Sequence, residues 1–185
     1  MNSICVFCGS KPGAHEGYVA LAREVGRLLA HRGITVVYGG GRVGLMGALA
    51  DAALGAGGRV IGVIPQMLMD REVGHANLSE LHVVRTMAER KEMMGVMSDG
   101  FLTLPGGTGT MDELFEAWTW TQLGLQRKPS GLLNYRGYYD PLIAFLDRAV
   151  SEGFLDAQYR EALWIDGDAE RLIQRMCEHP TFAAI

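Results

Sequence analysis

Cysteine and lysine are both scarce in this 185-residue chain, at three of each. Three cysteines cannot staple a disulfide framework, and so low a count suits a reducing cytoplasm. Cys5 and Cys8 do form C-x-x-C, but at the end of an apparent strand rather than at the opening of a helix, and no second pair completes a zinc site. The five histidines (His15, His31, His75, His82 and His179) show no H-E-x-x-H or other ligand spacing, so no metal is expected. No stretch of about 18 uncharged apolar residues exists, so no membrane span is expected. The opening MNSICVFCGS has neither a basic segment nor a long apolar run, so no signal peptide is expected. Basic charge is not in excess either: 17 Lys and Arg face 21 Asp and Glu, a net charge of −4. That balance argues against a nucleic-acid or anionic-membrane partner. Repeats, linkers and low-complexity tracts are also missing, and 48% hydrophobic content excludes disorder for most of the length.

Glycine, by contrast, is abundant: 25 residues, clustered at 39–47, 55–62 and 106–109. Clusters of this kind make tight turns or let the backbone approach a ligand. Around them, short β-branched runs alternate with helical patterns. Strands are predicted at Ser3–Phe7, Ile34–Tyr38, Arg59–Ile64, Leu81–Val84, Gly100–Leu104 and Gly131–Leu133, with Trp164–Ile165 closing an edge. Helices are predicted at Tyr18–His31, Leu45–Leu54, Thr86–Ser98, Met111–Leu123, Asp140–Glu152 and Ala169–Glu178, with Gly33 and Gly55 ending the first two. The segment Gln66–Ser79 reads as irregular. Strand–helix alternation implies an α/β fold: a Rossmann-like, doubly wound parallel sheet with helices on both faces, in a single domain over residues 1–185. Ligands in such folds sit beyond the carboxyl ends of the strands.

Two glycine loops fall at those ends. Gly39-Gly40-Gly41-Arg42-Val43-Gly44 fits G-x-G-x-x-G, but the following strand ends Val63-Ile64-Pro65 without the acid that would hold a dinucleotide ribose. NAD binding is therefore disfavoured. Close helix–strand packing and contact with a smaller nucleotide remain open. The second loop, Pro105-Gly106-Gly107-Thr108-Gly109-Thr110, runs from a strand into a helix, where converging N–H groups and the helix dipole suit a phosphate. It lacks the Lys of a Walker A loop.

Asp112 and Glu113 follow at once. Thr110-Met111-Asp112-Glu113 fits a T-x-x-E capping box, which would account for the acids structurally. Two carboxylates beside a phosphate cradle otherwise need compensating cations, or a positive charge that develops during a reaction, such as an oxocarbenium-like ribose carbon. The helix Thr86–Ser98 supplies cations. At 100° per residue Arg90 falls inside a stripe of Met87, Met94 and Met97, with Lys91 at its edge and Glu89 and Glu92 turned away. An arginine in such a stripe either snorkels to solvent or serves a ligand or carboxylate with its planar fork.

Pro105-Gly106-Gly107-Thr108-Gly109-Thr110-Met111-Asp112-Glu113 matches P-G-G-x-G-T-x-x-E, and Met87-Ala88-Glu89-Arg90-Lys91 resembles the M-x-x-R-K that precedes it. Together they resemble the signature of the Lonely Guy (LOG) family, the cytokinin riboside 5′-monophosphate phosphoribohydrolases, often labelled lysine decarboxylases. Cys8-Gly9-Ser10, Tyr38 to Gly41, Gly44 to Gly47, Val63 to Pro65, Thr119 to Gly124 and Lys128 to Asn134 extend the likeness over nearly the whole chain. The resemblance implies Arg90 and Glu113 as the catalytic pair. It implies substrate binding by Gly106, Gly107, Thr108, Gly109, Thr110, Met111, Asp112 and Glu113, with Lys91, Thr119 and Glu72 as further contacts. His75 to Ser79 departs from the plant form of the loop that carries Glu72.

The resemblance implies hydrolysis of the N-glycosidic bond of an adenosine 5′-monophosphate, plain or N6-modified, without a metal or organic cofactor, and none is expected. With three lysines, none in a Schiff-base setting, the decarboxylase label finds little support. The resemblance also implies a homodimer, to which Trp118, Trp120 and Leu123 would add apolar surface; simple core packing of the three is the other reading. A nucleotide-binding sensor or carrier without turnover is the alternative on the same scaffold; the pairing of Arg90 with Glu113 favours the enzyme.

Overall fold

The computed structural model describes residues 1–70 and 74–178. In chain order the elements are β1 (Ser3–Phe7), α1 (Gly17–His31), β2 (Thr35–Tyr38), α2 (Gly44–Gly55), β3 (Val60–Pro65), α3 (Gln66–Met69), β4 (Glu80–Val84) and α4 (Met87–Val96). Then follow β5 (Phe101–Thr103), α5 (Thr108–Gln122), β6 (Ser130–Leu133), a 3-10 turn at Tyr135–Gly137, α6 (Asp140–Ser151), α7 (Ala157–Ala162), β7 (Leu163–Asp166) and α8 (Ala169–Glu178).

The strands form one sheet in the order β4-β3-β2-β1-β5-β6-β7, with every pairing parallel. Side chains alternate across each strand. In β1, Ile4 and Val6 meet α1, α2 and α8 on one face, while Cys5 and Phe7 meet the layer of α4 and α5 on the other. Both faces are thus covered, which is why the strands read as continuous apolar runs rather than as alternating ones. A third cluster joins α5 and α6 to β6 and β7 through Leu114, Leu132, Leu146 and Leu163.

The winding positions the site. From β1 the chain steps outward through β2, β3 and β4, and β5 then returns to the opposite side of β1. The loops that leave β1 and β5 consequently diverge around a crevice at the carboxyl ends of adjacent strands, the usual ligand position in such sheets.

Several local expectations change. Helix α5 starts at Thr108, not Met111, with Gly107 as its N-cap and no side-chain capping bond. The T-x-x-E capping box at Thr110 is therefore absent, and Glu113 lies in the second turn. A side-chain cap forms instead on α4, where the Thr86 hydroxyl accepts from Glu89 N and the Glu89 carboxylate accepts from Arg85 N. Helix α2 does stop at Gly55, but the left-handed residue that turns the chain is Gly57, at φ 78°. Met87, the first residue of α4, is exposed, so the inward stripe is Arg90 with Met94 and, in part, Met97. Trp118 is buried against Leu114, Leu132 and Leu163, with its indole N–H on Tyr159 O, and adds nothing to the surface. Helix α7 and the one-turn α3, which opens the segment read as irregular, were not expected. Among the described residues no helix is long and apolar enough to cross a membrane.

Candidate active site

The crevice opens into a cleft of about 520 Å³, within the range of about 300–1,000 Å³ common for small-ligand sites. It is lined by the loop after β1 (Cys8 to Gly13), the first turn of α2 (Leu45 and Met46), and the loop and helix start from Pro105 to Thr110. Arg90, Glu113, Tyr18 and Tyr138 complete the wall. The loops are stitched together: Gly9 N donates to Pro105 O at 3.1 Å, and Leu45 N donates to Gly9 O at 3.0 Å.

The sequence of the second glycine loop builds an anion cradle. Because Gly107 brings no side chain to the N-cap, the amides of Thr108, Gly109 and Thr110 have no acceptor within the helix. They open toward the cleft with the positive end of a 15-residue helix behind them. Thr110 is buried under Gly106, where a Cβ would overlap its side chain. Two consecutive tyrosines tie the loop down: Tyr139 Oη donates to Leu104 O and Tyr138 Oη to Gly106 O, each at 2.7 Å.

Beside this cradle lies an ion pair. The Thr86 cap sets the phase of α4, which turns Arg90 inward together with Met94, one turn on. Arg90 Nη1 meets Glu113 Oε1 at 3.0 Å, each side chain only 9% exposed. Arg90 Nε donates to Val63 O at 3.1 Å, so the end of β3 fixes the guanidinium plane. Gly39, at the end of β2, gives the guanidinium room, since a Cβ there would overlap it. Burial pushes the Glu113 carboxyl above its usual range, and Arg90 pulls it back down.

The neighbouring acids are also compensated. Lys91 pairs with Asp112 at 3.0 Å and with Glu116, and Glu116 does most to hold its ammonium charged. The consecutive cations of α4 thus meet the acids of α5 in register, leaving no free carboxylate beside the cradle among the described residues. This answers the electrostatic objection to placing a phosphate there.

Of the residues expected to form the site, Arg90, Gly106, Gly107, Thr108, Gly109, Thr110 and Glu113 converge on the cleft. Lys91, Met111, Asp112 and Thr119 are not among its lining residues; Lys91 and Asp112 bond to each other, Met111 packs beside the cluster of α5 and α6, and Thr119 is exposed. Glu72 lies outside the described residues. Lys11, Tyr18 and Tyr138 line the cleft without having been expected. Lys11 comes from the loop after β1, Tyr18 from the first turn of α1 and Tyr138 from the segment after β6, and no local motif announces them.

Cys5 and Cys8 are free and buried, and burial holds both thiols far above their usual range, so the C-x-x-C offers no nucleophile. Among the described residues no three His, Cys, Asp or Glu side chains converge as a metal site.

Comparison with known proteins adds the family and the fold. The family model described as "Possible lysine decarboxylase" matches residues 46–176. A cytokinin riboside 5′-monophosphate phosphoribohydrolase of rice, Oryza sativa subsp. japonica, is 47% identical over 95% of this chain and 73% of its own. One from Arabidopsis thaliana is 45% identical over 98% of this chain and 84% of its own. In fold, the molybdenum cofactor binding protein of the bacterium Rippkaea orientalis superposes with a TM-score of 0.72 at 23% identity, over 95% of each chain. Its likeness extends to the fold alone. The family match and the extent of identity to named phosphoribohydrolases agree: the chain belongs to the LOG family.

Proposed function

We propose that this protein hydrolyses the N-glycosidic bond of adenosine 5′-monophosphates, N6-modified (cytokinin type) or plain, to free base and ribose 5-phosphate. The observation that carries the reading is the buried Arg90–Glu113 pair opening into the same cleft as the glycine loop at the start of α5. The named relatives are phosphoribohydrolases, and their identity to this chain is far above that of the molybdenum cofactor binding protein.

In the reaction the bond from ribose C1′ to the base nitrogen breaks, and its electron pair leaves with the base. Positive charge develops at C1′. The Glu113 carboxylate stabilises that charge or orients the attacking water. A water oxygen bonds to C1′, and a proton of that water ends on the base. The amides of the Pro105–Thr110 loop hold the 5′-phosphate and so fix the sugar. Arg90 keeps the buried carboxylate ionised and oriented.

The test is chromatography of AMP, isopentenyl-adenosine monophosphate and their dephosphorylated nucleosides after incubation with the purified protein. Base and ribose 5-phosphate are expected from the monophosphates, and little or no base from the nucleosides. Nucleotide that is bound and recovered uncleaved would instead establish the sensor or carrier.

A pH profile follows from Glu113. Its raised pKa means that the folded state holds this proton more tightly than the unfolded chain does. The resulting contribution to stability is complete below the unfolded pKa and fades as pH rises through the folded one. Catalysis by the ionised carboxylate has the opposite dependence and declines as pH falls through the folded pKa. The acid limb of kcat/KM is expected above the value of about 4.3 for a free glutamate. A limb at or below that value would show that the group in use is not this carboxylate.

A homodimer and a cytoplasmic setting belong to the same proposal. Val96, Leu123 and Leu125, exposed at the C-terminal ends of α4 and α5, support the first. The three free cysteines support the second.

A further inference from the structure

The charges facing the cleft do not balance. Among its described lining residues the charged side chains are Lys11, Arg90 and Glu113. Arg90 and Glu113 neutralise each other at 3.0 Å. Lys11 has no hydrogen bond or carboxylate partner among the described residues and is exposed. The other two lysines are occupied, Lys91 by Asp112 and Glu116 and Lys128 by Gly95 O.

Lys11 also has a fixed root. Its backbone is wedged against the first residue of α2, since a Cβ on Gly44, which sits at φ 63°, would overlap Ser10 and crowd Lys11 N. Two residues earlier, Gly9 bonds to Pro105 O, and a Cβ on Gly9 would lie 3.4 Å from Gly106 Cα. The loop that carries Lys11 therefore runs along the glycine loop and ends in a flexible ammonium. Amide dipoles alone supply only partial charge to an anion, whereas a lysine supplies a full one as an adaptable point contact.

We propose that Lys11 binds the 5′-phosphate from the side opposite the amides of Thr108 to Thr110, and that it accounts for much of the preference for a phosphorylated substrate. This rests on the hydrolase reading for the identity of the ligand. The contact is made equally in the ground and transition states, so its loss falls on KM.

The experiment compares wild type with Lys11→Met and Lys11→Arg by steady-state kinetics on AMP at low and high salt. Calorimetric titration of AMP into Glu113→Gln and into the Glu113→Gln, Lys11→Met double variant accompanies it. Lys11→Met is expected to raise KM about tenfold, with kcat changed by less than threefold, and to flatten the salt dependence of KM. Lys11→Arg is expected to retain most of the affinity, and the double variant to bind AMP about tenfold more weakly than Glu113→Gln alone. An unchanged KM together with an unchanged affinity would overturn the role of Lys11. Absence of base release by wild type would overturn the hydrolase reading instead, and the calorimetric comparison would still decide whether Lys11 holds the nucleotide.

Discussion

Glu113→Gln lowers kcat for base release by a hundredfold or more, and Arg90→Ala does at least as much. One preorganised electrostatic group acting on a developing charge is typically worth about 2.7–4 kcal/mol, which is two to three orders of magnitude in rate. Glutamine keeps the shape of Glu113 and can still accept from Arg90 Nη1, so this variant removes the charge and little else. Arg90→Ala is less clean. It leaves a carboxylate buried without its partner, a change that costs about 3–5 kcal/mol in comparable pairs. It also empties the contact with Val63 O at the end of β3. Thermal melts should therefore accompany the kinetics: Glu113→Gln is expected near the wild-type transition, and Arg90→Ala several degrees below it. Near-normal base release by both folded variants would remove the pair from the mechanism.

Gly39→Ala is expected to cost tenfold or more in kcat/KM, although Gly39 makes no polar contact with a ligand in the mechanism. The added methyl would occupy space now held by the Arg90 guanidinium. To relieve the overlap the fork must move, and with it the 3.0 Å contact to Glu113. Small displacements of a catalytic group are costly, because the transition state needs it in one place. Gly55→Ala is the matched comparison. It makes the same chemical change at the last residue of α2, where a Cβ meets nothing within 4 Å. It should leave kcat/KM unaltered and stabilise the fold slightly, by about 0.4–1 kcal/mol. A Gly39→Ala enzyme with wild-type kcat/KM would show that the guanidinium tolerates displacement and that its position is not demanding.

Both expectations depend on features that were partly legible in the chain. The sheet, its parallel sense and most elements follow from apolar runs bounded by glycine and proline. Helix α8 has the bounds read for it, Ala169–Glu178. The inward position of Arg90 follows from helical spacing alone. The start of α5 is hidden because threonine at 110 mimics a cap, while the chain begins its helix three residues earlier, capped by bare Gly107. Thr86-x-x-Glu89 carried the same pattern and is where a capping threonine acts. For Trp118 core packing and added surface are both open from composition, and its four-residue spacing from Leu114 already favours the buried face that it takes.

Helix α7, at six residues, is too short for periodicity to reveal. Lys11, Tyr18 and Tyr138 could not be found locally, since their place in the cleft depends on how β5 returns beside β1, with β6 next to it. The partners of Lys91 were equally hidden. A cation next to a catalytic arginine reads as a ligand contact until helix-on-helix register shows that two acids already hold it.

The adjacent phenols of Tyr138 and Tyr139 anchor the carbonyls of Gly106 and Leu104, on either side of Pro105, at the foot of the glycine loop. Its main chain is accordingly immobilised when the polypeptide folds, not when a nucleotide arrives. Loss of segmental freedom, which weakens many phosphate-gripping loops at the moment of capture, is here charged to the global folding equilibrium. Occupancy can then track dephosphorylation or depletion of the nucleotide pool without waiting for a slow rearrangement of the loop.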